Sequence, residues 1–362
     1  MSAAVYYGPG CVLNKKNYLN AIDDKERIIL KLKACAVCGY DVRIFRNGHL
    51  KVTPPVILGH EICGEIRKDV VSVVNGNEVF LKSGTRVAVS PIVPCLNCRY
   101  CDRSEYNLCL NLKEIGSSIN GGFAEFIDIP PQLVKIGGLV PIPNSINDDE
   151  AALLEPLACC LNCQINMGLG ESLNDTMAII GDGPIGLLHL LLSKNIGMRT
   201  IVTGKILSRL AKATSLGADL ALLFNSEDKI GGKYDEDTLR RVLSYTDGCG
   251  ADYIVIATSS PGAFEFALKI AAKNAKINIF AGMLGPQQSA PLDLNWLHYN
   301  QATITGTFSS TPNMLNKAVD LVSTGQINLS EIISHHYSLA DIKDALQATE
   351  NYLGLRVIIN KF

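Results

Sequence analysis

The sequence lacks several features that would place it in a specialised class of protein. It has no run of 18 or more apolar residues, so no segment is predicted to span a membrane. The stretch Met1–Gly10 shows no charged region followed by an apolar core and a cleavage site, so no secretory leader is predicted. We therefore expect a soluble protein that stays in the cytoplasm.

Charge of one sign is also scarce. The chain has 33 Lys and Arg against 35 Asp and Glu, a formal net charge of -2, and no long block of like charge. A basic stripe for nucleic acid or a polybasic patch for lipid headgroups is therefore not predicted. The expected partner is a small molecule, with neither nucleic acid nor a membrane involved.

Cysteine is too sparse for a disulfide scaffold. Twelve cysteines among 362 residues are about 3% of the chain, below the roughly 8–10% of disulfide-rich proteins. Four of them follow the spacing C-x2-C-x2-C-x7-C: Cys95, Cys98, Cys101 and Cys109. Four thiolates at this spacing can surround one tetrahedral ion with no open position. We interpret them as a structural zinc site in a lobe spanning residues 91–112. An iron–sulfur site or four unligated thiols are the alternatives, because spacing alone does not determine the metal.

A second group of possible ligands lies upstream. Cys38 opens the motif Cys-Gly-Tyr-Asp, and His60 and Glu61 follow Gly59. A thiolate, an imidazole and a carboxylate are ligands that a catalytic zinc accepts while one position stays open for water or substrate. On these residues alone, a buried cysteine and a core histidine are an equal alternative.

The hydrophobic pattern divides the chain into domains. Residues 1–150 are short apolar runs separated by Gly, Pro and Asn, which predicts a mostly β domain. Residues 151–294 contain apolar strands alternating with helices between 177 and 281, which predicts βαβ units around a parallel sheet. Residues 295–362 are too short for a third domain and are expected to pack back on the first. The predicted fold class is α/β, with a doubly wound parallel-sheet domain beside the β domain.

A glycine-rich loop opens the first helix of this alternating region. Gly181, Gly183 and Gly186 form G-x-G-x-x-G, with Pro184 and Ile185 between the last two glycines. The loop follows an apolar strand and begins a helix, which is the context of a dinucleotide-binding site. The pyrophosphate is expected at the helix N-terminus.

The end of the second strand concerns the choice of nicotinamide cofactor. NAD-binding units place a carboxylate there to hold the ribose 2'-hydroxyl, whereas this sequence has Gly204. Lys205 and Arg209 follow and could meet a 2'-phosphate. We therefore predict NADP(H) in preference to NAD(H), the alternative being that both cations only solvate a helix face.

A few further residues are weaker candidates. Glu155 precedes Pro156, so its backbone is biased away from helical geometry and its side chain could enter a cleft as a ligand or base. We expect His189 to be a packed helix residue. The remaining candidates are interpreted as core thiols (Cys159, Cys160, Cys163) and solvated loop histidines (His335, His336).

Together these motifs resemble a known family. The following segments occur in the order seen in zinc-dependent medium-chain dehydrogenases, with most similarity to the sorbitol (polyol) dehydrogenase branch: Cys38–Asp41, Gly59–Glu61, the four-cysteine lobe, Gly121–Glu125, Leu154–Leu157, Gly181–Gly186, Leu216–Asp219 and Gly354–Val357. The resemblance covers nearly the whole chain but does not specify a substrate. It implies a GroES-like catalytic domain from both ends of the chain, a Rossmann domain between them, and a homodimer or homotetramer.

The resemblance also implies roles for the site residues. Cys38, His60 and Glu61 would be the ligands of a catalytic zinc, with Glu155 as a fourth that binds directly or through water. Asp41 would orient His60. Tyr40 would take the place of the Ser or Thr that usually passes the substrate proton.

Two departures from the family pattern affect this relay. Tyr40 is bulkier than the usual hydroxyl residue, although a phenol can still donate and accept a proton. Arg43 stands where many members carry a histidine, and it could meet a phosphate or carboxylate on the substrate.

The predicted function is a zinc-dependent dehydrogenase that moves a hydride between a polyhydroxylated alcohol or sugar derivative and a nicotinamide cofactor. One catalytic and one structural Zn2+ are expected. The alternatives are an activity on threonine or a sugar phosphate, a zinc-free reductase of the same superfamily, and a nucleotide-binding relative without turnover.

Overall fold

The computed structural model describes residues 1–18, 27–74, 76–169, 174–224, 236–283 and 289–362. Its strands, in chain order, are β1 Ala3–Gly8, β2 Cys11–Lys15, β3 Ile28–Val37, β4 Val56–Ile57, β5 Glu61–Ile66, β6 Val70–Val74, β7 Asn77–Leu81, β8 Arg86–Val89, β9 Ile92–Val93, β10 Lys113–Glu114, β11 Phe126–Ile129, β12 Leu139–Pro141, β13 Thr176–Ile180, β14 Arg199–Gly204, β15 Leu220–Leu223, β16 Ala251–Ile256, β17 Ala271–Ile279, β18 Thr303–Gly306, β19 Ile333–Ser338 and β20 Arg356–Lys361. Its α-helices are α1 Gly39–Asn47, α2 Pro131–Lys135, α3 Asp148–Ala152, α4 Leu154–Asn166, α5 Pro184–Asn195, α6 Leu207–Ser215, α7 Glu236–Tyr245, α8 Pro261–Ile270, α9 Leu294–Asn300, α10 Pro312–Ser323 and α11 Ile342–Glu350.

These elements form two compact units. The first comprises Met1–Cys159 and Ser309–Phe362, and the second comprises Cys160–Phe308. The sequence-based boundaries, after residues 150 and 294, fall earlier in both cases. The second boundary lies further on because β18 pairs in parallel with β17 and so completes the second unit's sheet.

The first unit is built on a seven-stranded sheet with the order β12-β8-β5-β3-β20-β19, in which β11 also pairs with β3. Strand β20 pairs antiparallel with β3, with Val357 opposite Val37. The chain's last strand therefore lies beside the strand that leads into Cys38. Smaller sheets join β2, β1 and β4, and pair β6 with β7 and β9 with β10.

The second unit is an all-parallel sheet of six strands in the order β15-β14-β13-β16-β17-β18. Numbered from β13, this is the order 3-2-1-4-5-6 of a Rossmann fold. The central strands β13 (TMAII) and β16 (ADYIVI) are nearly continuous apolar runs, as expected where helices cover both faces of a sheet. The predicted fold class is confirmed, and α7 and β18 are additions that the apolar pattern did not indicate.

One smaller expectation about the first unit is wrong. His335 and His336 lie in β19 rather than in a loop, and His336 Nε2 lies 2.8 Å from Asp149 Oδ2. Alternating exposed and half-buried residues at this end of the sheet concealed the strand. No helix in the described ranges combines the length and apolarity needed to cross a bilayer.

Candidate active site and cofactor site

Cys38 is held at the start of a short helix. It is the N-cap of α1, and its backbone N–H donates to Asp41 Oδ2 at 2.9 Å. Asp41 is completely buried. Its other oxygen, Oδ1, accepts the backbone N–H of Gly59 at 3.2 Å. One buried carboxylate therefore ties the segment that presents the Cys38 thiol to the segment that presents His60.

His60 is placed by a turn that needs glycine. Gly59 has a φ of +91°, and a Cβ there would lie 2.8 Å from the Phe123 ring and 2.9 Å from Cys35 Sγ. His60 Nδ1 lies 3.3 Å from Asp41 Oδ1, which favours a proton on Nδ1 and leaves Nε2 for a metal. Burial acts to lower the pKa of His60, but the charges on Asp41 and Cys38 raise it well above its usual value. Asp41 is therefore in position to orient His60, the role that the resemblance implies.

Glu61 begins β5 and is almost completely buried beside an arginine from the far end of the chain. Its Oε1 lies 3.0 Å from Nη2 of Arg356, which is also buried. Arg356 Nη1 donates to the backbone oxygen of Val37 at 3.3 Å. Burial raises the pKa of Glu61, while the charge on Arg356 lowers it. Within the described ranges Glu61 Oε2 has no hydrogen-bond partner, so one buried oxygen is left for a cation.

The three predicted ligands come together. One donor atom each from Cys38, His60 and Glu61 lies within 4.8 Å of the other two. A single zinc with bonds of about 2.0–2.3 Å can bring such atoms into its coordination sphere. The donor types and the partnerless Glu61 oxygen both fit zinc.

Glu155 lies outside that group of three in the part of the chain described. It is buried in the first turn of α4, where Oε1 accepts from Cys159 Sγ at 3.2 Å. Burial raises its pKa to about 7; the charge on His60 lowers it and that on Glu61 raises it. Glu155 is therefore electrostatically linked to the centre without joining its ligand atoms.

Tyr40 projects from α1 between two histidines. Its ring meets that of His60 edge-on at 5.9 Å, and its hydroxyl lies 3.3 Å from His49 Nδ1. Burial and the charge on Glu114 raise the pKa of Tyr40 to about 12. The Arg43 guanidinium lies 5.9 Å from the centre of the Tyr40 ring. The spacing of residues in the sequence did not indicate His49 as a partner of Tyr40. The two side chains meet because the chain turns back at Gly48, the C-cap of α1.

The four-cysteine lobe is a closed loop of the first unit. Its base is the pairing of β9 with β10, in which Val93 faces Lys113. The four sulfurs lie within 4.8 Å of one another, with Cys98 Sγ 3.6 Å from Cys101 Sγ and 4.0 Å from Cys109 Sγ. A zinc tetrahedron with bonds of about 2.3 Å has sulfurs roughly 3.8 Å apart. Backbone N–H groups, first that of Leu110, lower the pKa of Cys98 to about 6 and so favour the thiolate.

The predicted dinucleotide loop has the expected surroundings. It joins β13 to α5, with Gly183 as the N-cap of the helix and Pro184 in its first turn. A Cβ at residue 186 would lie 1.9 Å from the backbone oxygen of Gly181, so only glycine lets the helix pack this close. A phosphate group can therefore approach the backbone of the loop and bind at the N-terminus of α5.

The end of the second strand differs from the sequence-based expectation. Asp182, the residue after the first glycine, is buried, and its Oδ2 accepts the backbone N–H of Lys205 at 2.8 Å and of Ile206 at 2.7 Å. A carboxylate therefore does lie beside Gly204, although residue 204 does not supply it. It comes from Asp182 in the glycine loop, which is distant in sequence from the end of the second strand.

The two cations near this point are in different environments. Lys205 is exposed, whereas Arg209 is only 7% exposed. The Arg209 Nη1 atom lies 4.0 Å from the position that a Cβ on Gly183 would occupy, so Arg209 packs beside the glycine loop rather than solvating a helix face. The NADP(H) preference stays a prediction that depends on these two cations.

Comparison with known proteins identifies the family. One family model, described as an alcohol dehydrogenase GroES-like domain, matches residues 24–143, and another, described as a zinc-binding dehydrogenase, matches residues 184–324. A D-arabitol-phosphate dehydrogenase of Enterococcus avium is 31% identical over 345 residues, 94% of this chain and 90% of the relative. The chain belongs to the zinc-dependent medium-chain alcohol dehydrogenases. This dehydrogenase is in their polyol-dehydrogenase-like branch and uses NAD(P).

Solved structures agree with this assignment. The galactitol-1-phosphate dehydrogenase of Escherichia coli superposes on the dehydrogenase with a TM-score of 0.82 and 25% identity, covering 99% of this chain and 100% of that one. A zinc-binding dehydrogenase of Sinorhizobium meliloti, solved with NADP, gives a TM-score of 0.81 and 25% identity over 99% of this chain and 98% of that one.

Proposed function

We propose that this dehydrogenase interconverts a polyhydroxylated alcohol or sugar derivative and the corresponding carbonyl compound, with Cys38, His60 and Glu61 holding the catalytic zinc. The observation that supports this most directly is the ligand trio, in which the buried Glu61 keeps one oxygen without a hydrogen-bond partner among the described residues. When bound, the zinc polarises the substrate oxygen and the nicotinamide accepts or donates the hydride.

The chain's own residues supply orientation and charge. Asp41 fixes the His60 ring, and Arg356 neutralises part of the charge on Glu61. Glu155 would be a fourth ligand that gives way to water or substrate, because a zinc with Cys, His and two permanent carboxylates would have no free position. Tyr40 Oη takes the proton of the substrate hydroxyl and gives its own proton to His49 Nδ1, which lies 3.3 Å away and already accepts from the backbone N–H of Lys51.

A phosphorylated substrate is the second candidate. The relatives named above act on D-arabitol phosphate and galactitol 1-phosphate, and Arg43 places a guanidinium on the same short helix as Tyr40. A free polyol offers this cation no matching charge, whereas a phosphate does. Arg43→Ala should then raise KM for the phosphorylated compound and leave that for the free polyol unchanged.

The decisive experiment is a substrate panel with metal analysis. Polyols, their phosphates, threonine and long-chain aliphatic alcohols are compared by NAD(P)H formation, and bound zinc is counted. Fastest turnover of a polyol or its phosphate is expected, with two zinc ions per chain. Faster turnover of aliphatic alcohols or of threonine would reject the substrate class, and no turnover at all with zinc bound would favour a nucleotide-binding relative.

Three further parts of the proposal carry over from the sequence. NADP(H) is proposed as the preferred cofactor on the strength of Lys205 and Arg209. The assembly is proposed to be a homodimer or homotetramer, and the location the cytoplasm. The preference for NADP(H) is opposed by the Asp182 carboxylate in the second unit.

A further inference from the structure

The side chain of Asp182, a residue of the glycine loop, lies at the end of the neighbouring strand β14. It follows Gly181 directly after β13, and β13 and β14 are parallel neighbours with Ile180 opposite Thr203. The loop therefore begins beside the end of β14. The Asp182 side chain crosses to that end and takes up the N–H groups of Lys205 and Ile206, the two residues before α6.

Gly204 is a glycine because Asp182 fills the space of its side chain. A Cβ at residue 204 would lie 2.3 Å from Cβ, Cγ and Oδ2 of Asp182. The carboxylate that Rossmann units normally carry at the end of the second strand is thus replaced, in space, by one from the loop. Gly204→Asp would collide with it and is unsuited to test cofactor choice.

This position carries a chemical consequence for the adenosine ribose. A carboxylate at the end of the second strand accepts from ribose hydroxyls and repels a 2'-phosphate. Backbone N–H groups at a helix N-terminus are the donors that a phosphate would use, and Asp182 already holds two of them before α6. Both effects act against a 2'-phosphate.

We propose that Asp182 is the residue that recognises the ribose 2'-position, by favouring the hydroxyl of NAD(H) and opposing the phosphate of NADP(H). The inference depends on the NAD(P) chemistry of the family and on no property of the zinc centre. Lys205 and Arg209 attract a phosphate at the same place. Cofactor preference is then a balance between one carboxylate and two cations, and a single charge should move it.

The test measures binding rather than turnover. Dissociation constants for NADH and NADPH are determined from nicotinamide fluorescence with the intact, zinc-loaded protein, for wild type, Asp182→Asn and Asp182→Ala. Asparagine keeps an oxygen for the Lys205 and Ile206 N–H groups but removes the charge. The matched control is Asp237→Asn, an exposed aspartate on α7 of the same unit.

The ratio Kd(NADPH)/Kd(NADH) should fall at least tenfold in Asp182→Asn, chiefly through tighter NADPH binding, and stay within twofold of wild type in the control. Asp182→Ala should shift the ratio the same way. A ratio within twofold of wild type in both variants, with NADH still bound, would overturn the proposal. So would loss of the folded state in both, since Asp182 would then be structural. Failure of wild type to bind either cofactor would instead reject the nicotinamide chemistry.

Discussion

The two candidate metal centres of the first unit are built in opposite ways. The lobe takes its four sulfurs from residues 95–109, and two short strands close its base. The other centre takes Cys38, His60 and Glu61 from two segments, and its Glu61 pairs with Arg356 from β20. The lobe has equal ligands close to tetrahedral spacing, whereas the second centre has unequal ligands and a Glu61 oxygen with no hydrogen-bond partner in the described part of the chain.

The difference indicates what each centre does. Four thiols from one short stretch give a closed site, whose metal can only hold the loop together. Mixed ligands from two separate segments, one at the start of α1 and one at the start of β5, can leave a position open for water or substrate.

The largest effect is expected from Cys38→Ala. The variant should keep the zinc of the lobe and lose the other, so that bound zinc falls from two equivalents to one. Turnover should fall at least about 1000-fold, roughly 4 kcal/mol of barrier, because the substrate oxygen loses its electrophile. Zinc is counted by atomic absorption beside the rate assay. One equivalent in wild type and none in the variant would mean that the lobe holds no zinc.

Cys109→Ala should instead lose the zinc of the lobe and keep the zinc of the Cys38 centre. A structural zinc supplies on the order of 10 kcal/mol in small zinc-dependent domains, and part of this is lost with one ligand. We expect the unfolding temperature to fall by about 10 °C, equivalent to roughly 3 kcal/mol, with protease cleavage appearing in residues 91–112. Measured below the transition, zinc at the Cys38 centre should remain. Unchanged stability would show that the lobe does not depend on a metal.

Among the described residues, His189 in the second unit is a buried histidine without a carboxylate partner like Asp41, so its pKa shows the effect of burial alone. His189 is fully buried on α5, neither ring nitrogen has a hydrogen-bond partner within the described ranges, and burial lowers its pKa to about 3. Because this lies below the unfolded value of about 6.5, the unfolded chain binds the proton first. Stability is therefore lost as pH falls from about 6.5 towards 3.

When the pH falls from 7.5 to 5, His189 should lower the free energy of unfolding of the second unit by about 2 kcal/mol. Urea unfolding of wild type and His189→Leu at both pH values measures this, with the exposed His298→Gln as control. The leucine variant should lose about 2 kcal/mol less than wild type on acidification. Equal acid sensitivity would mean that His189 accepts a proton in the folded protein.

The smallest effect should come from the two glutamates of the open centre. Glu61→Ala and Glu155→Ala should each lower turnover by more than about tenfold, the scale of a lost ligand or supporting partner. Only Glu61→Ala should also weaken zinc binding, because Glu155 lies outside the ligand trio in the described residues. Near-normal rates in both variants would contradict the assignment of either residue to the metal.

The parts that sequence predicted best are those specified by short spacings. The lobe depends on the distances between four cysteines, and the glycine loop on a strand before it and a helix after it. The alternation from β13 to β17 followed from apolar runs, since strands covered on both faces contain few polar residues.

The parts that sequence missed depend on distant contacts. Arg356 belongs to a quoted motif, yet its contact with Glu61 follows only from the pairing of β20 with β3. Asp182 and Gly204 are 22 residues apart in sequence and meet because β13 and β14 are neighbours. The contact of His49 with Tyr40 and the burial of Arg209 likewise depend on packing, which the hydrophobic periodicity of the sequence does not predict.

The pairing of Glu61 with Arg356 sets an order of events during synthesis. The two residues are 295 positions apart, which a ribosome working at about 5–20 residues per second covers in roughly 15–60 s. The lobe is complete once β10 has emerged, so its thiols can take up a metal during that interval. Glu61 must wait for β20 to supply its counter-charge, and β3 stays without that neighbour. A nascent chain of this dehydrogenase should therefore complete the lobe before Glu61 gains its counter-charge.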